Sequence, residues 1–314
     1  MRILFLITGL RLGGAEMQLL LLTKTLRRIG VELEVVSMED IGVIGQRMVQ
    51  SGIKVHALNI RSIIDIPRAS ILLRKIKKEF RPDILHSHMI HANIYSRVFN
   101  FFEKTPKLIN TAHNTIEASR KLMRSYSSTN RLSDFSTNVS EEAYKLFVKK
   151  KYFSKEKSAY VPNAIDIDKF QPISKNKKAL LRYEFGIDSD TYIFLAAGRL
   201  HEQKNYPLLI RSFQQVQKLH NKTCLLIAGE GNLLPALEDM VDEMKLNTYV
   251  KFLGRRDDID HLMNMTNSFV LTSNFEGFGL VIGEAMACEV PVIATDCGGV
   301  REVMGGFGIL IPTN

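Results

Sequence analysis

The sequence predicts two doubly wound α/β domains, and three observations lead there. Short apolar runs alternate with helical periods along almost all of the 314 residues, the pattern that builds a parallel sheet with helices on both faces. The length suits about two domains, each able to bury a core of its own. The alternation pauses once, at Val161-Pro162-Asn163 and the Lys-rich stretch 174–178, and then restarts. Residues 1–164 are therefore expected to form the first domain and 165–314 the second.

Each element follows in order. Residues 2–8 form a short apolar strand and 15–29 a helix; strands follow at 31–37, 53–57, 84–86, 107–112 and 135–139. Between them, Ala69, Leu72, Leu73, Ile76 and Phe80 keep the spacing of one helix face. After the pause, strands are expected at 192–197, 224–228, 249–252, 268–271 and 292–294, separated by helices. The chain stops at Gly308-Ile309-Leu310-Ile311-Pro312-Thr313-Asn314, just after a strand. A complete doubly wound domain covers that edge with a helix, so the second domain is expected to be truncated.

Composition narrows the class. With 45% hydrophobic and 24% charged residues and a mean hydropathy of −0.03, the chain reads as a soluble globular protein, not a fibrous or disordered one. No apolar run approaches the ~18 residues of a membrane span. The opening Arg2-Ile3-Leu4-Phe5-Leu6-Ile7 is too short for one and lacks a signal-peptide cleavage site. Three cysteines imply no disulfide framework, and a cytoplasmic location is expected.

Charge is distributed unevenly. Up to Leu180 there are 31 Lys and Arg against 16 Asp and Glu; beyond it there are 11 against 17. A basic first half points to an anionic partner, nucleic acid or a lipid surface. No helix-turn-helix, RRM or OB signature accompanies the charge, which favours the lipid. Arg74, Lys75, Lys77, Lys78 and Arg81 ring one helix, and Arg120, Lys121 and Arg124 lie beside Leu122, Met123 and Tyr126. Each cation near an anionic leaflet is worth roughly 1 kcal/mol, so peripheral attachment to the inner face of the cell membrane is expected.

In open α/β sheets ligands sit beyond the carboxyl ends of the strands, so the strand-to-helix loops carry the chemistry. The first, Thr8-Gly9-Leu10-Arg11-Leu12-Gly13-Gly14-Ala15-Glu16, places Gly13 and Gly14 where backbone and helix amides can approach an anion. Its glycines do not have the GxGxxG spacing, which excludes a nicotinamide-dependent dehydrogenase. The second, Gly198-Arg199-Leu200-His201-Glu202-Gln203-Lys204-Asn205, offers a planar guanidinium and a mobile ammonium, a natural pair for a diphosphate. The third, Glu276-Gly277-Phe278-Gly279-Leu280-Val281-Ile282-Gly283-Glu284, puts one carboxylate in a loop and one in the second turn of a helix. Free amides of Phe278, Gly279 and Leu280 lie between them, an arrangement that suits a sugar on one side and a ribose on the other. The fourth, Thr111-Ala112-His113-Asn114, ends a first-domain strand and is expected to face the cleft between the domains.

Two metal readings are weak. Asp188-Ser189-Asp190 precedes its strand and falls at the wrong end of the sheet, while His86-x-His88-x-x-His91 matches no ligand spacing with a mechanical rationale. Asp166-Ile167-Asp168 reads as a turn. No metal and no cofactor are expected.

Together these loops resemble the family-4 retaining glycosyltransferases, whose two Rossmann-like domains face one another across a cleft (the GT-B fold). The resemblance covers essentially the whole chain. It runs through Gly13-Gly14-Ala15-Glu16, His113, Val161-Pro162-Asn163-Ala164-Ile165-Asp166, Gly198-Arg199 with Lys204-Asn205, Ala228-Gly229-Glu230-Gly231 and Phe252-Leu253-Gly254. Its most specific part is the E-x7-E element leading into Glu284-Ala285-Met286-Ala287-Cys288. Asn163 departs from the pattern in being followed by Ala where Gly is frequent, and the family's C-terminal bracing helix is absent.

The resemblance implies a metal-independent hexosyltransferase that moves a sugar from a nucleotide-diphosphate donor, a UDP-sugar, to a glycan or lipid-linked glycan, as in cell-surface polysaccharide synthesis. In that reading Arg199 and Lys204 hold the diphosphate and neutralise it as it leaves. Glu276 holds hydroxyls of the transferred sugar, with the Phe278, Gly279 and Leu280 backbone nearby, and Glu284 binds the ribose. His113 contacts the sugar, Gly13 and Gly14 line the diphosphate and acceptor side, and Gly229 and Arg255 lie near the nucleotide. Retention without an enzyme nucleophile implies same-face attack, the leaving phosphate taking the acceptor proton. The alternatives are a non-catalytic nucleotide-sugar-binding fragment and a nucleotide-sugar epimerase of the same architecture.

Overall fold

The computed structural model describes residues 1–114 and 119–313. The chain divides into two compact units, Met1–Ala164 and Ile165–Asn314.

In chain order the first unit comprises β1 (Arg2–Ile7), α1 (Gly14–Arg28), β2 (Glu32–Ser37), α2 (Gly42–Gln50), β3 (Lys54–Ala57), α3 (Ile66–Phe80), β4 (Ile84–His88), α4 (Ile90–Phe102), β5 (Lys107–Ala112), α5 (Arg120–Thr129), β6 (Phe135–Asn138), α6 (Glu141–Lys149) and β7 (Ser158–Tyr160). Its strands form one parallel sheet in the order β3-β2-β1-β4-β5-β6-β7. The interior strand β1 is apolar from Ile3 to Ile7 because it is covered twice. Ile3, Phe5 and Ile7 pack with Leu19, Leu20, Ile44 and Met48 of α1 and α2. Leu4 and Leu6 pack on the other face with Ala69, Leu73 and Ile76 of α3 and Ala92, Tyr95 and Phe99 of α4.

The second unit comprises α7 (Lys175–Glu184), β8 (Tyr192–Ala197), α8 (Tyr206–Leu219), β9 (Thr223–Ala228), α9 (Leu234–Glu243), β10 (Val250–Phe252), α10 (Ile259–Met265), β11 (Ser268–Leu271), α11 (Leu280–Ala287), β12 (Val292–Thr295), α12 (Val300–Met304) and β13 (Ile309–Ile311). The sheet order is β10-β9-β8-β11-β12-β13, again all parallel. Here Ala196, Leu225, Ile227 and Val270 face Leu209, Ile210, Phe213 and Leu237. Ile193, Leu195, Leu226 and Phe269 face Leu262, Ile282 and Ala285. Both units thus have the doubly wound, Rossmann-like order that the sequence predicts, and in each the strand order reverses once. That happens between β1 and β4 and between β8 and β11, the places where such sheets open a crevice for ligands.

Local readings differ in three places. The stretch 174–178, read as a pause, is the start of α7: Ser174 caps it by accepting a hydrogen bond from the Lys177 amide at 3.4 Å. Its polarity belongs to an exposed helix face. Strand β7 is only three residues of mixed character, too short for a periodic signal. Strand β4 runs on to His88, so His88 lies in the strand and not after it.

Candidate functional site

The switch point of the second unit is built from the loops after β8 and β11, and hydrogen bonds bind them together. The Asn274 amide donates to Gln203 O (2.8 Å), Gln203 Nε2 to Phe275 O (2.8 Å), and Asn205 Nδ2 to Asn274 Oδ1 (3.0 Å). Thr272 Oγ1 donates to the carbonyls of Lys204 and Asn205 at 3.0 and 3.1 Å. Asn205 sits in the left-handed region (φ 47°), caps α8 through its side chain, and turns the chain into the helix.

This lattice places Lys204 beside Glu276: Nζ donates to Oε1 at 2.6 Å. Ser273 Oγ donates to the same oxygen at 2.6 Å. Glu276 is only 6% exposed and Ser273 is fully buried. Glu276 Oε2 makes no hydrogen bond among the described residues. The backbone of Glu276 is pinned as well. Gly298 has φ +55°, and a Cβ there would collide with the Glu276 carbonyl oxygen.

Three residues beyond Glu276, Gly279 caps α11 from the left-handed region (φ 85°) with no side-chain cap. The amides of Phe278, Gly279 and Leu280 donate to no acceptor among the described residues, although Phe278 and Gly279 are buried. Such N–H groups at a helix start form an anion-favouring nest.

Glu284 lies in the second turn of α11, partly buried. Burial, together with the carboxylates of Asp166 and Asp260, pushes its pKa up to about 7, against the opposing pull of Lys169. Lys169 Nζ lies 3.6 Å from Asp260 Oδ1 and donates to Asp257 O at 3.1 Å. Its backbone amide donates to Asp166 Oδ1 at 3.1 Å. The Asp166-Ile167-Asp168 stretch is a turn, as read.

Arg199 is exposed on the β8 loop, five positions before Lys204. Gly229 follows β9 with φ +150°, and a Cβ there would collide with the Gly198 carbonyl. Its amide donates to Gly254 O at 2.8 Å. This glycine therefore lets the β8 and β9 loops cross closely. Arg255 is exposed just beyond β10. Asp188-Ser189-Asp190 precedes β8 at the opposite end of the sheet, with Asp190 paired to Lys222.

In the first unit Gly13 caps α1 with extended backbone (φ −167°), and a Cβ on it would run into the carboxylate of the buried Glu16. The start of α1 thus already has a carboxylate of its own beside it. His113 is buried, with Nε2 3.0 Å from His88 Nδ1. The His86 and His88 ring centroids lie 4.3 Å apart with the planes tilted by 34°, and His86 Nε2 meets Thr111 Oγ1 at 2.8 Å. Burial lowers the pKa of His113 to about 4. Burial and the neighbouring imidazole of His113 lower His86 to about 3, and burial with both neighbours holds His88 well below its ordinary value. All three are neutral at pH 7. His91 is exposed on α4, and no group of three metal-ligating side chains is present among the described residues.

Sequence reasoning missed Ser273, Gly298, Lys169 and Asp260, and it weighed His88 only as a metal ligand. Ser273 precedes Glu276 by three residues in a motif already singled out, a usable signal. The others arrive from distant segments and leave none.

Comparison with known proteins gives a consistent result. Residues 12–169 match the family described as Glycosyltransferase Family 4, and residues 177–314 match Glycosyl transferases group 1. An uncharacterized glycosyltransferase of Methanocaldococcus jannaschii is 30% identical over 244 residues, 73% of this chain and 60% of that protein. The UDP-Gal:alpha-D-GlcNAc-diphosphoundecaprenol alpha-1,3-galactosyltransferase of Escherichia coli is 27% identical over 264 residues, 78% of this chain and 67% of its own length. Among solved structures, Anabaena Alr3699/HepE in complex with UDP-glucose superposes with a TM-score of 0.89 at 24% identity, over 100% of this chain and 86% of that one.

Proposed function

Because the chain belongs to glycosyltransferase family 4, we propose that it transfers a hexose from a UDP-sugar to a glycan or lipid-linked glycan, with retention at the anomeric carbon and without a metal ion. The observation that carries this reading is the Lys204–Glu276–Ser273 cluster beside the free amides of 278–280, at the switch point of the second unit. The UDP assignment draws on the E. coli relative, named for UDP-Gal, and on Anabaena HepE, solved with UDP-glucose.

The chemistry follows from charge. Breaking a glycosyl–phosphate bond leaves an oxocarbenium-like sugar and an anionic diphosphate. In this reading the diphosphate lies on the amides of Phe278, Gly279 and Leu280 and draws Lys204 and Arg199 to itself, so the leaving group is stabilised by preorganised donors. Lys204 then shifts from Glu276, whose carboxylate accepts from hydroxyls of the sugar while Ser273 keeps hold of Oε1. Glu284 accepts from the ribose, with Gly229 and Arg255 on the nucleotide side. His113, neutral, is assigned to the sugar, and Gly13 and Gly14 to the acceptor side. The acceptor hydroxyl attacks from the face the diphosphate leaves, giving up its proton to the departing phosphate.

The basic first unit is assigned to the anionic inner surface of the cell membrane, where a lipid-linked acceptor would be presented. None of the described helices is long and apolar enough to cross a membrane.

The test is calorimetric titration with UDP followed by a panel of nucleotide sugars, scored for UDP release with and without acceptor glycans. UDP binding and acceptor-dependent release are expected. Conversion of a nucleotide sugar to its epimer, with no acceptor and no net UDP release, would replace the reading with an epimerase, and absence of UDP binding would remove it.

A further inference from the structure

Helix α3 carries a feature that neither the core nor the proposed site explains. Its inner face is ordinary: Ala69, Leu73 and Ile76 are buried against the sheet. The opposite face should be polar throughout. Instead Ile71 stands at its centre, 70% exposed, and the turn leading into the helix presents Ile63 and Ile64 at 84 and 88% exposure. Ile71 and Lys78 are spaced seven apart on α3, so they share one line along its outward face, with Lys75 flanking it, and Ile63 and Ile64 stand in the turn just before the helix. Lys75 and Lys78 are both exposed.

The turn is built, not frayed. Ser62 and Asp65 form a capping box, and the Asp65 carboxylate accepts from the amides of Arg61 and Ser62 at 2.9 and 3.0 Å. Those bonds hold the Asp65 pKa below its ordinary value. The isoleucine pair is therefore displayed by an ordered scaffold. Of the cations on this helix, Arg74 and Lys77 are tied to Glu103 at the end of α4. Arg68 donates to the carbonyls of Leu58 and Asn59 at 2.8 and 3.1 Å.

We infer that the outward face of α3, led by the Ile63–Ile64 turn, inserts into the interface of an anionic lipid bilayer. The isoleucines enter the acyl boundary while Lys75 and Lys78 reach headgroup phosphates, their stems lying along the apolar surface. One weak signal seldom holds a protein on a membrane, whereas an apolar contact combined with basic charge does. Charge chooses among the occupants. A second copy paired through α3 would bring Lys75 and Lys78 against a like set, and a nucleic-acid backbone would meet the cations but leave the isoleucines in water. An anionic bilayer satisfies both. The inference rests on the membrane partner proposed above and names the surface that engages it.

The chain contains no tryptophan, so Ile64→Trp supplies a single reporter at an exposed position. In the full chain its emission should shift to the blue on adding phosphatidylserine-containing vesicles and be quenched by brominated acyl chains, with neither effect on pure phosphatidylcholine. The triple variant Ile63→Ser/Ile64→Ser/Ile71→Ser should co-sediment with the same vesicles at least about tenfold more weakly, while UDP binding in buffer is unchanged. Lys75→Gln/Lys78→Gln should weaken binding several-fold and flatten its salt dependence. If the native chain sediments with vesicles but the Ile64→Trp emission stays put, another surface binds the membrane and α3 is overturned. If the chain ignores anionic vesicles while still binding UDP, the membrane partner falls and the donor reading stands. A dimer in solution that loses its dimerisation on Ile71→Ser would overturn the bilayer as occupant.

Discussion

The most discriminating test of the site is a double-variant cycle on Lys204 and Glu276. Nζ and Oε1 are 2.6 Å apart and their side chains are 16 and 8% exposed, so the pair is largely desolvated. Removing one partner of such a pair leaves an uncompensated charge and costs about 3–5 kcal/mol. The residual exposure and the second donor, Ser273, argue for the lower end. Lys204→Met strips the ammonium but keeps the stem's volume, and about 3 kcal/mol lowers the melting temperature of a unit this size by roughly 6–12 °C. Glu276→Gln leaves the ammonium stranded beside an amide and should cost somewhat less. Replacing both removes both charges, so the double variant should be more stable than the sum of the single losses by about 1–3 kcal/mol. UDP-sugar turnover should behave otherwise: each single variant loses about 10²–10³-fold, and the double variant recovers none of it. Scanning calorimetry and a UDP-release assay read the two quantities independently. Additive stability losses would refute the paired geometry. Recovery of turnover in the stable double variant would show that the pair only props the loop.

Other outcomes follow from the same geometry. Glu284 binds its proton more tightly in the folded chain than in the unfolded one, so its penalty is absent below about pH 4.5 and complete above about pH 7. Glu284→Gln should therefore stabilise the protein by about 2–3 kcal/mol at pH 8 and by little at pH 4.5, while weakening UDP binding; equal stabilisation at both values would refute the assignment. His113 has the opposite sign, being neutral in the fold down to about pH 4. Stability is lost as pH falls from 6.5 through that value, by about 3 kcal/mol from this group, and a ring-proton NMR titration near 6.5 would contradict its burial. Gly298→Ala forces a Cβ into the Glu276 carbonyl at a positive φ. It should cost about 2–4 kcal/mol and reduce UDP-sugar turnover; unchanged turnover would mean that Glu276 is not held from behind.

Legibility in the sequence differed by range. The two doubly wound sheets were readable because β1 and β9 are uninterrupted apolar runs, and α3 buries Ala69, Leu73 and Ile76 at helical spacing. Those signals lie within one element. Glu276 and Lys204 were readable as types on neighbouring strand ends, but their direct pairing was not. It depends on Asn274, Gln203 and Thr272 crossing between two loops about seventy residues apart. The histidine cluster was illegible for a related reason. His86 and His88 share one side of β4, and their partners are Thr111 in β5 and His113 just beyond its end, so cross-strand register, not spacing along the chain, decides what they do. Ile63, Ile64 and Ile71 leave no periodic signal either: they stand among cations at and before α3, and only their exposure separates them from core positions.

These crossings bear on how a ligand would be met. The β8 loop is locked to the β9 loop where Gly229 admits the Gly198 carbonyl, and to the β11 loop by the Gln203 and Asn274 bonds. The β11 loop in turn leans on Gly298. Four strand ends are thus fixed to one another by the chain's own contacts, which carry part of the ordering entropy of their loops. Preorganised donors stabilise developing charge without moving at the moment of reaction, which is the work the proposed function asks of these loops. Amide hydrogen exchange makes the point measurable. Positions 198–205 and 272–276 should be protected in the ligand-free protein, and UDP should slow exchange mainly at 278–280, whose amides have no acceptor among the described residues. General slowing across all four loops on binding UDP would show that the ligand, and not the chain, orders the site.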